Sequence, residues 1–310
     1  VLLQLVLPLI GLSVLFWLLA FAPGDKHHQP ALLEMSVILR DGDGNVSAMR
    51  KGMEQAAKDL NVELRFLTPA EDNSAVEQVQ LLEHEVSGAA PAILLIPADR
   101  EALGEAVSAA EGKTTLVTVE SDMTAWGADA SISMDHQALG EALGKAALNG
   151  VSFGGTVLLL DSLLGDNGVR ERMEAAKALL EEKGRQVRIY RWTSDSTAFA
   201  NILRIERPKA VIAFEAAALT EMAELSRGEE AFPLLYGCGS TAGIAAALEK
   251  GRVTAIAAVN VFSAGYLAVE AAAKLARHES WTGASSVGFS IVRQETMYSS
   301  DNQKLLFPVT

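Results

Sequence analysis

Polar residues that could bind or react with a small molecule recur just after the apolar runs of this chain. Carboxylate and amide oxygens accept hydrogen bonds, and a guanidinium group offers a rigid fork of donors that suits paired oxygens. A side-chain set of this kind is suited to hydrogen bonding with a ligand rich in oxygen. The residues at these positions include Asp43, Asn45, Glu120, Asp135, His136, Asp161, Arg170, Glu215 and Asn260.

Patterns typical of metal and cofactor sites are incomplete in this sequence. Residues 41–45 resemble the start of a calcium loop, but its sixth and twelfth places hold Val46 and Gly52 instead of Gly and Glu. None of the five histidines falls in an HExxH motif. A single cysteine, Cys238, excludes an internal disulfide framework and a cysteine-rich zinc or iron–sulfur site. We therefore predict no metal site and no cofactor.

Two carboxylates and the thiol are the residues that could support catalysis. Asp161 and Asp195 could form the carboxylate pair of a glycoside hydrolase, or they could accept hydrogen bonds from ligand hydroxyls at strand ends. No histidine lies near Cys238 in sequence, so we interpret this cysteine as an inert thiol. We predict no catalytic residue, and an enzyme acting on a small carbohydrate is the alternative.

Composition and charge limit the class of protein further. The chain has 310 residues, of which 49% are hydrophobic, and this is enough for one large domain or two of ordinary size. Lys and Arg total 26 against 39 Asp and Glu, which gives a formal net charge of −13. Because nucleic-acid binding requires cationic side chains that neutralise phosphates, this balance argues against a nucleic-acid partner.

Residues 1–22 form an uncharged apolar run. As a helix they would be roughly 33 Å long, which is enough to cross the core of a bilayer. Residues 20–22 also match an A-x-A cleavage site, but Pro23 directly after it is expected to hinder cleavage. We therefore expect an uncleaved signal anchor, followed by a polar tether over 23–34, that holds the rest of the chain on the extracytoplasmic side of the cell membrane.

From residue 35 onward, short apolar runs alternate with amphipathic helical patterns, and the alternation restarts near residue 155. Apolar strands between helices predict parallel sheets covered on both faces, so we expect two doubly wound α/β lobes. In such sheets ligands bind beyond the carboxyl ends of the strands. The predicted strands are 36–40, 62–67, 92–96, 115–119, 130–133, 156–160, 186–191, 210–214, 233–236, 253–258 and 286–293.

Several segments resemble, in order and spacing, the type I periplasmic substrate-binding proteins of the ribose/galactose-binding branch. MRKGMEQAA at 49–57 is similar to the first helix of that family, and ILLIPADREALGEAV at 93–107 is similar to its strand-Pro-small-Asp segment. DHQALGEALG at 135–144 resembles the family's hinge turn and helix. VRERMEA at 169–175 resembles its arginine-bearing helix start. The resemblance covers nearly all of residues 35–310.

The resemblance implies two lobes joined by three hinge crossovers, with a small ligand, usually a monosaccharide, closed between them. It assigns residues 35–134 and 260–290 to the first lobe and residues 135–259 and 291–310 to the second. It also implies a solute receptor whose partner is the permease of a sugar ABC transporter or a membrane sensor kinase.

The resemblance also assigns candidate ligand contacts. In the first lobe they fall on Asp43, Asn45 and Glu120; His136 takes the hinge position, and Arg170 and Glu215 belong to the second lobe. The family's second arginine and an aspartate are replaced here by Ser121 and Gly239. These departures disfavour ribose itself and leave open another sugar, a polyol or a ligand with a positive group.

Overall fold

The computed structural model describes residues 31–40, 47–162, 167–193, 195–228 and 232–307. The described residues from Leu32 onward belong to one compact unit. The predicted membrane anchor at 1–22 lies outside the described residues. Within the described ranges, no helix has the length and apolar character needed to cross a membrane.

The first sheet has five parallel strands in the order β2-β1-β3-β4-β5. Its central strand β3 has the sequence AILL and is buried along its whole length, as expected for a strand covered on both faces. The strands are β1 (Leu33–Ile38), β2 (Val62–Leu67), β3 (Ala92–Leu95), β4 (Thr115–Glu120) and β5 (Ala130–Ser133), and the connecting helices are α1 (Ser47–Leu60), α2 (Ala75–Ser87) and α3 (Arg100–Ala110).

The second sheet has the order β11-β10-β9-β8-β6-β7, and β11 pairs antiparallel to β10. Its five parallel strands repeat the topology of the first sheet, which confirms the prediction of two parallel-sheet α/β lobes. The strands are β6 (Thr156–Asp161), β7 (Gln186–Arg191), β8 (Ala210–Ala213), β9 (Leu234–Cys238), β10 (Ala255–Val259) and β11 (Phe289–Val292). The helices are α4 (His136–Leu148), α5 (Asn167–Glu182), α6 (Ser196–Glu206), α7 (Ala216–Leu225), α8 (Ala242–Glu249), α9 (Val261–Ala276) and α10 (Ser300–Leu306).

Three crossings connect the lobes. The chain leaves the first sheet after β5, returns through Asn260 to α9, which packs on α1, and crosses again before β11. The crossings are hydrogen-bonded to one another: Val287 donates its N–H to the carbonyl of Ser133 at 2.9 Å, and Asn260 donates to the carbonyl of Gly288 at 3.3 Å. Strand β11 starts at Phe289, two residues before the predicted return to the second lobe.

Glycines allow one pair of helices in each lobe to pack in close contact. In the first lobe, a Cβ on Gly265 of α9 would lie 2.1 Å from the carbonyl oxygen of Met49 in α1. In the second lobe, a Cβ on Gly140 of α4 would lie 2.1 Å from the carbonyl oxygen of Arg172 in α5. Only glycine leaves room for these approaches, so Gly140 fixes the position of Arg172 relative to α4.

Candidate functional site

A cavity of about 360 Å³ lies between the lobes at the carboxyl ends of their strands. Both lobes contribute polar groups to its wall, as expected for an α/β fold that binds its ligand at strand ends. We call this cavity the interlobe cleft. Its lining residues are Arg40, Ser47, Ala48, Lys51, Asn73 and Glu120 of the first lobe, Met134, Val259 and Val261 at the crossings, and Arg172, Glu215, Ala216, Ala217, Cys238, Gly239, Ser240, Thr241, Ala242 and Leu306 of the second lobe.

An ion pair forms the first-lobe wall of the cleft. Arg40 follows β1 and Glu120 ends β4, and the Nη1 of Arg40 lies 2.9 Å from the Oε2 of Glu120. Both side chains are largely buried, with 15% and 16% of their surface exposed. A pair at this depth is held more firmly than a surface ion pair, so both groups have a fixed place in the cleft.

The backbone of Glu120 is strained. Its φ of +70° lies in the left-handed region, which a side chain of this kind rarely adopts. Two donors hold its carbonyl oxygen: the hydroxyl of Ser133 at 2.6 Å and the Nε2 of His136 at 3.0 Å. Strain of this kind costs on the order of 1–3 kcal/mol and persists where surrounding contacts determine the conformation, often at functional sites.

Arg172 supplies the second-lobe wall. It lies on α5 and is only 8% exposed, and its guanidinium is held at three points. Its Nε donates to the Nδ1 of His136 at 3.0 Å, its Nη1 donates to the carbonyl of Phe214 at 2.9 Å, and its Nη2 lies 3.6 Å from the sulfur of Met134. Because a guanidinium has five N–H donors, Arg172 can keep donors for a molecule in the cleft.

His136 connects Arg172 to the first lobe. It is the first residue of α4, whose N-cap Asp135 accepts from the N–H of Ala138 at 2.8 Å. Arginine can only donate, so the Nδ1 of His136 must accept, and its Nε2 then carries the proton donated to the carbonyl of Glu120. A continuous hydrogen-bonded chain therefore runs from α5 through α4 to β4.

Glu215 and Cys238 complete the second-lobe side of the cleft. Glu215 is the N-cap residue of α7, but its side chain makes no capping hydrogen bond, and it lines the cleft. Cys238 ends β9, and burial raises the pKa of its thiol, with nearby Arg172 lowering it and Glu215 raising it further. The buried thiol therefore stays protonated, which makes it a poor nucleophile.

The structure brings only part of the predicted site together. Glu120 and Glu215 line the interlobe cleft, and His136 lies behind Arg172. Asp43 and Asn45 lie outside the described residues. That Asp43, Asn45, Glu120, His136 and Glu215 contact the ligand stays a prediction.

Arg170, predicted as a ligand contact, is not among the residues that line the cleft, and its role stays a prediction. Its side chain is exposed and is not part of the cleft lining, whereas Arg172 is buried there. Two residues along a helix correspond to a rotation of about 200°, so the two arginines point to opposite sides of α5. Arg172 shares its face of α5 with the buried apolar residues Val169, Met173 and Ala176.

Other cleft residues were missed at the sequence level. Lys51 lies one turn into α1 and is exposed at the cleft, and Leu306 belongs to α10, a helix that the apolar pattern did not predict. Helical periodicity from Ser47 could have identified Lys51, since positions 47, 48 and 51 share one face. Leu306 had no comparable local signal, because the chain brings it to the cleft from the C-terminal segment.

Comparison with protein families gives a match over most of the chain. A family profile described as "Periplasmic binding protein domain" matches residues 36–280. No curated protein matches the chain significantly in sequence.

Solved structures share the fold at low identity. A solute-binding protein of an ABC transporter from Agrobacterium vitis, with bound D-fucose, has a TM-score of 0.81 and 20% identity and covers 88% of this chain and 100% of that one. A carbohydrate transporter protein from Acidothermus cellulolyticus, in complex with myo-inositol, has a TM-score of 0.78 and 17% identity over 89% and 98% of the two chains. The XylFII-LytSN complex has a TM-score of 0.78 and 16% identity over 86% and 99%.

Proposed function

The chain belongs to the periplasmic binding protein family, and from this premise we propose that it binds a small carbohydrate-like ligand, a monosaccharide or a polyol, between its two lobes. The observation that carries the proposal is the interlobe cleft, where Arg40 and Glu120 of one lobe and Arg172 and Glu215 of the other line the same cavity. A ligand that contacts both pairs favours the closed arrangement of the lobes, because it gains contacts only when both walls are present.

The chemistry of the cleft suits a neutral molecule with several hydroxyl groups. A carboxylate has about four acceptor positions, so Glu120 retains acceptor capacity after pairing with Arg40. Glu215 adds a second carboxylate, and Arg172 adds donors held in place by protein contacts. Because guanidinium and carboxylate groups stand close together in the cleft, a ligand with a large net charge gains less than one that donates and accepts at many points.

The relatives support this ligand class. The Agrobacterium vitis protein holds D-fucose and the Acidothermus cellulolyticus protein holds myo-inositol, a hexose-type sugar and a polyol of similar size. The similarity in fold, together with the polar cleft, supports our placement of the chain in the ribose/galactose-binding branch.

We propose binding without turnover. The carboxylate of Glu120 is engaged by Arg40, and the thiol of Cys238 stays protonated because burial raises its pKa. Neither group is then poised as a nucleophile or general base, whereas both can contribute to recognition. The second candidate, an enzyme acting on a small carbohydrate in the same cleft, predicts consumption of the sugar, and a turnover assay separates the two.

We also propose the setting in which binding is used. Residues 1–22 would anchor the protein to the cell membrane with the two lobes on the extracytoplasmic side. The liganded form would dock on an ABC permease or on a membrane sensor kinase. The relative from an ABC transporter supports the first partner, and the XylFII-LytSN complex supports the second.

A thermal-shift screen of the full chain tests the proposed ligand class. The panel contains D-fucose, D-arabinose, myo-inositol and other sugars and polyols, with amino acids as a control class. A ligand at one hundred times its Kd should stabilise the fold by about 2.7 kcal/mol. A shift with a sugar or polyol supports the proposal, and a panel in which only amino acids shift the transition would contradict it.

A further inference from the structure

We propose that His136 is a positioning residue that holds Arg172 in its ligand-binding orientation, and that it does so only as a neutral imidazole, so that ligand affinity falls on acidification. The inference rests on the proposed function for the ligand class and on the hydrogen-bonded chain for the role of the histidine. It differs from the sequence prediction, in which His136 itself contacts the ligand.

The location of His136 argues for an indirect role. Arg172 and Glu120 line the interlobe cleft of about 360 Å³, whereas His136 lines a second cavity of about 310 Å³. The imidazole is 8% exposed, and its two nitrogens bond the Nε of Arg172 and the carbonyl of Glu120, both at 3.0 Å. The ring therefore stands between the two cavities, behind the guanidinium that faces the cleft.

Close packing fixes the ring in this orientation. A Cβ on Gly168 would lie 2.5 Å from the Cε1 of His136, so α5 packs directly against the imidazole. Gly140 also allows a close approach, since a Cβ there would lie 2.1 Å from the carbonyl oxygen of Arg172. With both elements held, the imidazole cannot turn to present another atom to Arg172 without moving a helix.

Protonation of His136 would break the chain at its central bond. An imidazolium donates at both nitrogens, so an Nδ1–H would point at the Nε–H of Arg172 across 3.0 Å. Two donors and two positive charges would then face each other in a buried place, and the guanidinium would have to move. Its hydrogen bond to the carbonyl of Phe214 and its position at the cleft would change together.

The surrounding charges act in both directions on the histidine. Arg172 on α5 and Arg100 on α3 disfavour the imidazolium, whereas carboxylates around the second cavity favour it. The hydrogen bond from Arg172 requires an unprotonated Nδ1, and ligand binding favours the state in which that bond is intact. Within the described part of the chain, the charged groups at the second cavity are Arg100, Asp122, Asp135 and Glu171, and those at the cleft are Arg40, Lys51, Glu120 and Glu215; the titratable but uncharged thiol of Cys238 also lines the cleft.

The sign of the pH effect follows from linkage. The binding-competent form has one proton fewer than the form with a charged His136. Affinity is therefore highest at neutral pH and above, and it decreases on acidification by at most about tenfold per pH unit for one proton. Histidine side chains ordinarily change charge between about pH 5 and 8, so binding is measured across that range.

Two variants separate the functions of the two ring nitrogens. His136→Asn places an amide oxygen near the position of Nδ1, so it keeps the acceptor for Arg172 and removes the titrating group. His136→Gln places an amide nitrogen near the position of Nε2, so it keeps the donor to Glu120 and removes the acceptor. His278→Asn is the matched control, because His278 is exposed and has φ +60°, a conformation that Asn adopts readily.

The first arm of the test is histidine ¹⁵N NMR on the full chain, which needs no ligand. His136→Asn identifies the signals of His136 by their loss. We expect the Nε2–H form with an unprotonated Nδ1 at about pH 7.5. An Nδ1–H form or an imidazolium at that pH would overturn the proposal, whatever ligand the protein binds.

The second arm is calorimetric titration with D-fucose from about pH 7.5 to 5.5. Wild type and His278→Asn should weaken together by roughly tenfold or more, and His136→Asn should bind with little pH dependence. His136→Gln should bind roughly tenfold to a hundredfold more weakly at every pH, the range for a lost charge-assisted hydrogen bond. Equal pH dependence of wild type and His136→Asn, or unchanged affinity of His136→Gln, would overturn the proposal. If D-fucose does not bind wild type, the sugar or polyol with the largest thermal shift replaces it; if none of the panel binds at any pH, the ligand class is in error, and the NMR arm alone decides the role of His136.

Discussion

Replacing Arg172 by alanine should weaken ligand binding strongly, whereas the same replacement at Arg170 should not. Both arginines lie on α5, but Arg172 lines the interlobe cleft and is 8% exposed, whereas Arg170 is exposed and does not line it. The pair therefore tests whether the buried guanidinium recognises the ligand, with helix composition and net charge changed equally in both variants.

The magnitude follows from the contacts of Arg172. A hydrogen bond to a charged group contributes about 1.5–3 kcal/mol, so loss of the guanidinium should raise the Kd roughly tenfold to more than a hundredfold. Folding stability should fall as well, because the Nδ1 of His136 and the carbonyl of Phe214 lose their donor. A buried polar group left without a partner costs about 1–3 kcal/mol. Arg170→Ala should change stability by less than about 0.5 kcal/mol.

The assay is calorimetric titration with the sugar or polyol that gives the largest thermal shift, with urea unfolding of each variant as the control for folding. Assays are run at a temperature where Arg172→Ala is folded. Equal affinity of Arg172→Ala and Arg170→Ala in the folded state would refute the assignment of Arg172 as a ligand contact.

Two further predictions concern packing and reactivity. Gly140→Ala should lower the free energy of unfolding by about 1–3 kcal/mol or more, because its Cβ would lie 2.1 Å from the carbonyl oxygen of Arg172. Gly288→Ala is the control, because its Cβ meets nothing within 4 Å. Equal urea midpoints for the two variants would show that the helix contact is wrong. Cys238 should react slowly with a thiol reagent at mildly alkaline pH in the folded protein and rapidly in urea. The reason is that the side chain is buried and that burial raises the pKa of its thiol. Rapid labelling of the folded protein would show that the thiol is not buried.

The strands of the fold were predictable because each combines an apolar run with polar residues shortly after it. Runs such as AILL in β3 and AVIA in β8 are apolar on both faces, and polar residues follow them at Asp99 and Glu215, a pattern typical of a parallel sheet between helices. Helix α10 was missed because it has seven residues and only two of them, Leu305 and Leu306, are apolar. A helix of that length depends on tertiary packing, which local sequence does not reveal.

Helix α9 shows how a boundary can be misread. The helix begins at Val261 and is capped by Asn260, whose side chain accepts from the N–H of Ser263 at 3.0 Å. Asn260 was interpreted as a polar strand end. Asn260 has both roles, strand end and helix N-cap, because β10 ends at Val259 and α9 begins at Val261.

The sequence predicts which part of the fold forms the site, but it does not predict which face of α5 contributes to it. The rule that ligands bind at strand ends pointed to Glu120, which ends β4, and to Glu215, two residues after the end of β8. It could not decide between Arg170 and Arg172, since that choice depends on which side of α5 faces α4. Gly140 and the imidazole of His136 determine that side through contacts far apart in sequence.

A crystal structure of the protein grown with D-fucose, D-arabinose or myo-inositol would show whether the interlobe cleft is a sugar site. We expect density for at least one of these molecules in the interlobe cleft, with ring hydroxyls within hydrogen-bond distance of the guanidinium of Arg172 and of the carboxylate of Glu120 or Glu215. A sugar bound elsewhere on the surface, or a cleft that holds a molecule of different chemistry and none of the three, would show that the cleft is not the sugar site.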